Sequence, residues 1–132
     1  MKFKIGANMT EKKVKVLIVD DDITLREMYA ERIKMEGFEI EIAENGDEGI
    51  KKAKIFKPDV VLLDIMMPGT NGFGVLETLQ KDDQTKSIPI LMLSALIQEE
   101  NKVRSKEAGA KDYIVKSETT PANVIDKIKE AL

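Results

Sequence analysis

The 132-residue chain predicts an α/β fold, a doubly wound five-stranded parallel sheet with five helices. Three observations carry that expectation. Short, nearly continuous apolar runs flanked by polar residues read as strands covered on both faces. The segments between them show helical periodicity over about ten to fifteen residues. The two patterns alternate five times, and right-handed crossovers leave few ways other than a parallel sheet to join them.

The first strand is Val14-Lys15-Val16-Leu17-Ile18-Val19, which stops at three acids. Leu25, Met28, Tyr29, Arg32 and Ile33 then give the first helix one mostly apolar face, with Gly37 as its stop. Phe38 to Ala43 alternates apolar residues with Glu, as an edge strand should. Asn45 caps a second helix carrying Ile50, Ala53 and Phe56, which must end before Pro58. Val60 to Leu63 is the third strand, and Val75, Leu76 and Leu79 mark the third helix. Ile88 to Leu93 forms the fourth strand, followed by a helix holding Val103 and Ala108 before Gly109. Asp112 to Val115 is a brief fifth strand, and the last helix begins near Pro121 with Val124, Ile125 and Ile128 inward.

Composition narrows the chemistry. Hydrophobic residues make up 42% of the chain, enough for one packed core. With 21 Lys+Arg against 24 Asp+Glu, the net charge of −3 gives no general attraction to nucleic acid or anionic membranes. There is neither Cys nor His, so disulfides, thiolate sites and imidazole bases are excluded. What remains is carboxylates, hydroxyls and Lys. No apolar stretch approaches the roughly 18 residues that span a bilayer, and Met1 to Lys13 lacks the apolar centre of a secretion signal, so a cytoplasmic location is the default expectation.

In a doubly wound sheet the ligand site lies beyond the C-terminal strand ends. Strand one ends in Asp20-Asp21-Asp22, strand three in Asp64, strand four in Ser94 and strand five in Lys116. Any one of these could be a solvated strand terminus, but together they bring three or more carboxylates, a hydroxyl and an ammonium to one edge. Two carboxylates about 4 Å apart repel by roughly 4 kcal/mol at an effective dielectric near 20, so the cluster calls for a cation. With oxygen ligands alone, that cation is expected to be Mg²⁺, or Mn²⁺, sharing the site with phosphate oxygens.

These residues form a pattern: Ile18-Val19-Asp20-Asp21, Asp64 with Pro68 and Gly72 after it, Ser94-Ala95, and Gly109-Ala110 leading to Tyr113 and Lys116. The pattern, from about Val14 to Leu132, resembles the receiver domains of two-component response regulators. The intervals agree too: 44 residues from Asp20 to Asp64, 30 on to Ser94 and 22 on to Lys116. On this resemblance residues 14–132 are the receiver domain and residues 1–13 an N-terminal extension, poorly ordered at its start. The implied strand order is 2-1-3-4-5, that of the chemotaxis members of the family.

The resemblance implies the following roles. Asp64 is the phosphoacceptor, taking a phosphoryl group from a sensor histidine kinase or a histidine phosphotransfer protein. Asp20 and Asp21 supply carboxylates to Mg²⁺, Asp64 shares it, and Met66 adds its backbone carbonyl. Lys116 serves as a point charge, Ser94 as the switch hydroxyl and Tyr113 as the aromatic that repacks with it. The output surface is the fourth helix, fifth strand and fifth helix, roughly residues 96–132, which would engage a downstream protein and neither nucleic acid nor membrane. The kinase is expected nearer the first helix. Such a module is no enzyme beyond its own phosphoryl transfer and dephosphorylation.

Three positions depart from the family pattern. Ser117 replaces the Pro that usually follows the Lys through a cis bond, so the Lys116-Ser117 bond is either a costly cis or a trans bond, since cis costs about 2.5 to 4 kcal/mol without proline. Met66 and Leu96, two residues after the acceptor and the switch hydroxyl, are apolar and cannot orient an attacking water. Slow hydrolysis of the phosphorylated state is expected from them. A haloacid-dehalogenase-like phosphatase is the rival enzyme reading, because Asp20-Asp21-Asp22-Ile23-Thr24 also satisfies an Asp-x-Asp-x-Thr motif. It would need a further acidic pair after Lys116, where Glu118, Asp126 and Glu130 stand unpaired, and it leaves Asp64 without a role. A receiver-fold interaction module that is never phosphorylated is the second rival.

Overall fold

The computed structural model describes residues 13–95 and 98–132. The expected extension therefore lies almost wholly outside the described residues, as does Leu96. Within them the order is β1 (Lys15–Val19), α1 (Ile23–Met35), β2 (Glu39–Ala43), α2 (Gly46–Phe56), β3 (Val60–Asp64), α3 (Gly72–Lys81), β4 (Ile90–Ser94), α4 (Glu99–Glu107), β5 (Asp112–Val115) and α5 (Pro121–Ala131). All four strand pairings are parallel, in the order β2-β1-β3-β4-β5, as expected.

Alternation along the three central strands sorts the core into two layers. Leu17, Val19, Val61, Leu63, Ile90 and Met92 face α2 and α3, where they meet Ala53, Phe73, Val75, Leu76 and Leu79. Val16, Ile18, Val60, Leu62, Leu91 and Leu93 face α1 and α5, meeting Tyr29, Ile33, Val124, Ile125 and Ile128. Burying each such side chain contributes about 1.5–3 kcal/mol, so the three central strands are the most firmly held part of the chain.

Helix boundaries follow local chemistry. Asp22, Asn45, Asn71 and Thr120 each cap a helix by accepting a backbone N–H three residues on. Gly37 stops α1 at φ 90°, and Lys57 leaves α2 in the left-handed region because the following Pro58 bars further helix. Pro89, expected inside the fourth strand, stands just before it. Having no N–H to give the ladder, it contributes only its carbonyl, which accepts from Val61 N at 3.0 Å.

Two helices differ from expectation. On α1, Tyr29 and Ile33 are buried, but Met28 and Arg32 are exposed and Arg26 takes the inward place. On α4, Val103 is 52% exposed and Ser105 is the one buried residue, its hydroxyl donating to Asn101 O at 2.7 Å. The sequence EENKVRSKE has too few apolar residues to form a face, so this helix rests on β5 with little burial.

Candidate functional site

Parallel strands place their C-terminal ends on one edge, and the register aligns the functional side chains there. Asp64, the last residue of β3, pairs with Leu93, so Ser94 lies one step beyond it on β4. Ser94 in turn pairs with Val115, and Lys116 follows directly in a 3₁₀ turn, Lys116–Glu118. Asp20 follows β1, and its N–H donates to Ala43 O at 3.1 Å.

Asp20, Asp21 and Asp64 each offer a carboxylate oxygen within 4.8 Å of the others. Asp20 and Asp64 are 0% and 4% exposed, while Asp21 opens to solvent. Lys116 Nζ bridges the buried pair at 2.9 Å from Asp20 Oδ2 and 3.4 Å from Asp64 Oδ1. Asp20 Oδ1 accepts from Asp22 N at 2.9 Å, whereas the buried Oδ2 accepts no hydrogen bond among the described residues and meets the ammonium as an ion pair.

Three acids against one ammonium leave uncompensated charge. Burial, with the Asp20 carboxylate next, pushes Asp64 up from 3.8 to about 7 against the opposing pull of Lys116. Burial alone would discharge Lys116, but the close Asp20 carboxylate and the charge of Asp64 outweigh that and raise its pKa. An all-oxygen donor set with a buried carboxylate oxygen that accepts no hydrogen bond fits a hard divalent cation.

The other expected residues fall around this cluster. Ser94 is fully buried, and Tyr113 is half-buried against the layer containing Met92, its register partner. Met66 is 58% exposed, whereas Met67 turns inward. Every peptide bond among the described residues is trans, so Lys116-Ser117 takes the trans alternative, and Lys116 reaches both carboxylates from it. Asp22 caps α1 instead of joining the acidic cluster, which removes the second acid of the dehalogenase-like motif from the site.

Two residues carry more of the site than the sequence suggested. Gly72 opens α3, where its N–H donates to Ile65 O at 2.7 Å; a Cβ there would fall on Asp64 O and within 2.7 Å of Ile65 Cα. Only glycine lets α3 start this close to the strand end bearing Asp64. Arg26 was missed altogether. Its guanidinium is buried and Nη1 donates to Asp20 O at 2.9 Å. The signal was present: Arg26, Tyr29 and Ile33 recur at i, i+3 and i+7, which places all three on one helix face.

A doubly wound parallel sheet with a buried acidic pair and an ammonium at its carboxyl edge is a ligand-binding α/β fold of the flavodoxin-like class. The chain belongs to the response regulator receiver domain family, whose model matches residues 16–129. It is 41% identical over 117 residues to the phosphate regulon transcriptional regulatory protein PhoB of Pseudomonas aeruginosa, covering 89% of this chain and 51% of that protein. It is 42% identical over 102 residues to Protein PilH of the same organism, covering 77% of this chain and 84% of that protein. Thus the chain spans about half the length of PhoB but most of PilH. The chemotaxis protein CheY4 of Vibrio cholerae superposes with a TM-score of 0.86 at 33% identity, over 92% of this chain and all of that one.

Proposed function

We propose that this receiver domain is a phosphoacceptor switch in which Asp64 takes a phosphoryl group from a phosphohistidine donor, a sensor histidine kinase or a histidine phosphotransfer protein. The supporting observation is the bridge made by Lys116 between Asp20 and Asp64, inside a cluster of three carboxylates spanning 4.8 Å. Asp20, Asp21, Asp64 and the Met66 carbonyl would hold Mg²⁺ or Mn²⁺, which when bound neutralises charge on the carboxylates and on the phosphoryl oxygens.

An Asp64 carboxylate oxygen forms the new bond to phosphorus as the phosphorus–nitrogen bond breaks, and the bonding pair leaves with the imidazole. The product is an acyl phosphate. Phosphoryl transfer demands positioning and charge neutralisation more than covalent chemistry from the protein. Lys116 is already aimed at the edge where that charge spreads, and its raised pKa keeps it cationic. Asp64 must be ionised to attack, and a pKa near 7 makes neutralisation of the pocket part of the reaction.

In this reading Ser94, buried at the end of β4, donates its hydroxyl to the new phosphoryl oxygens. Tyr113 repacks with it and carries the change to α4, β5 and α5, the surface offered to a downstream protein. Phosphorylation adds close to two negative charges, enough to bias a loosely held element. A cytoplasmic setting matches such partners. Among the described residues no helix is long and apolar enough to cross a membrane.

Intact-mass measurement with acetyl phosphate tests the reading. A Mg²⁺-dependent gain of one phosphoryl group is expected in wild type and no gain in Asp64→Ala. Labelling that survives in Asp64→Ala, or proceeds equally in excess chelator, overturns it.

A further inference from the structure

Arg26 is difficult to explain as a stabilising residue. It is 4% exposed on the inner face of α1, and burying a guanidinium is costly unless its donors are satisfied. They are poorly satisfied. Nε has no hydrogen-bond partner among the described residues. Nη2 lies 3.9 Å from Glu44 Oε1, and the Glu44 side chain is 68% exposed, so solvent screens that pair. One short bond remains, from Nη1 to the backbone carbonyl of Asp20 at 2.9 Å.

That bond completes the fixation of Asp20. Its N–H is held by Ala43 O at 3.1 Å, its Oδ1 by Asp22 N at 2.9 Å and its carbonyl by Arg26. Arg26 N also donates to Asp22 O at 2.9 Å, so one residue grips the β1–α1 turn by both backbone and side chain. Oδ2 is thereby left facing Lys116 and the acidic cluster.

From this geometry we infer that Arg26 is a positioning residue for the cation site: it fixes the peptide of Asp20 so that Oδ2 is held ready for the ion. The inference rests on the acidic cluster being a Mg²⁺ site. Residues that orient metal ligands from behind typically change affinity by roughly 10- to 100-fold when removed.

Mg²⁺ affinity measured by calorimetry on the full chain, well below the melting temperature, tests it without using phosphorylation. Arg26→Met keeps apolar volume and is expected to bind Mg²⁺ at least about tenfold more weakly. Arg26→Lys, which keeps the charge but not the planar fork, should fall between, about threefold or more weaker than wild type. A folded Arg26→Met protein that binds Mg²⁺ within twofold of wild type overturns the inference. If Arg26→Met does not fold, Arg26→Lys decides: affinity within twofold of wild type alongside a lower melting temperature makes Arg26 purely structural. A wild type that takes up no Mg²⁺ overturns the reading of the site and this inference with it, whereas wild type and Arg26→Met binding alike overturns this inference alone.

Discussion

Strand β3 and helix α4 are built from opposite materials. Every residue of β3 is buried, including the Asp64 that ends it, while α4 buries only Ser105 and exposes its one large apolar residue, Val103. A charge placed at the end of β3 is therefore held by a scaffold that cannot yield cheaply. An element with few apolar contacts lies at the low-stability end of the molecule and shifts for little free energy. On the function proposed above, chemistry would sit on the firm part and response on the soft part.

The contrast breaks if truncation costs the same in both places. Leu63→Ala is expected to lose about 2–5 kcal/mol of unfolding free energy, as full burial in a packed layer requires. Val103→Ala should change it by no more than about 0.5 kcal/mol. Chemical denaturation of the two variants provides the measurement, and native-state hydrogen exchange should show α4 amides opening before those of β3.

Firm burial of a charge has a pH signature. The proton on Asp64 is retained to about pH 7 in the folded chain but lost near 3.8 when unfolded. Between those values the folded state holds more protons, so stability without Mg²⁺ is full below pH 4 and declines as pH rises through 7. A shift of that size corresponds to about 4 kcal/mol, an upper bound that solvent reaching the open side of the pocket reduces. Thermal melts in chelator should show that slope in wild type and lose it in Asp64→Asn; an unchanged slope would place the charge elsewhere.

Gly72→Ala probes the same scaffold by intrusion instead of deletion. Its Cβ would land on Asp64 O, so either α3 or the strand end must move. A loss of about 1–3 kcal/mol is expected, with phosphorylation by acetyl phosphate slowed because Asp64 is displaced. Gly74→Ala is the control: a Cβ there meets nothing nearer than Thr70 Cγ2 at 3.8 Å, and it should label like wild type.

Legibility in the sequence follows the same division. The apolar runs disclosed the three central strands, alternation with Glu disclosed the edge strand β2, and the acids and Lys at the strand ends disclosed the acidic cluster, because burial and strand polarity leave those residues little freedom. Helix faces were less legible where polar residues dominate. Val103 looked like a core position on α4, but a single apolar residue cannot orient a helix. Arg26 escaped because a charged residue reads as solvent-facing until its contact with Asp20 O is seen. The trans Lys116-Ser117 bond follows the ordinary preference of a non-proline residue, for which cis costs about 2.5 to 4 kcal/mol.

The smallest expected effect concerns how long the switch stays on. Met66 follows the firm strand by two residues and is 58% exposed, and Leu96 comes two residues after Ser94 in the sequence. Neither side chain has a strong hydrogen-bonding group to hold a water in line with an acyl phosphate, so on the proposed function hydrolysis is expected to rely on water that these two residues do not orient. Supplying an amide and a carboxylate in Met66→Asn with Leu96→Glu should speed phosphate loss by roughly tenfold, less than the hundredfold or more of a full general acid or base because these groups would only hold a water. The single variants separate the two sides: Met66→Asn acts from a position fixed by β3, so its share of the gain should be the larger. Equal loss rates in wild type and the double variant would mean that both residues merely pack, and that lifetime is set by the pocket that Asp64 shares with Lys116.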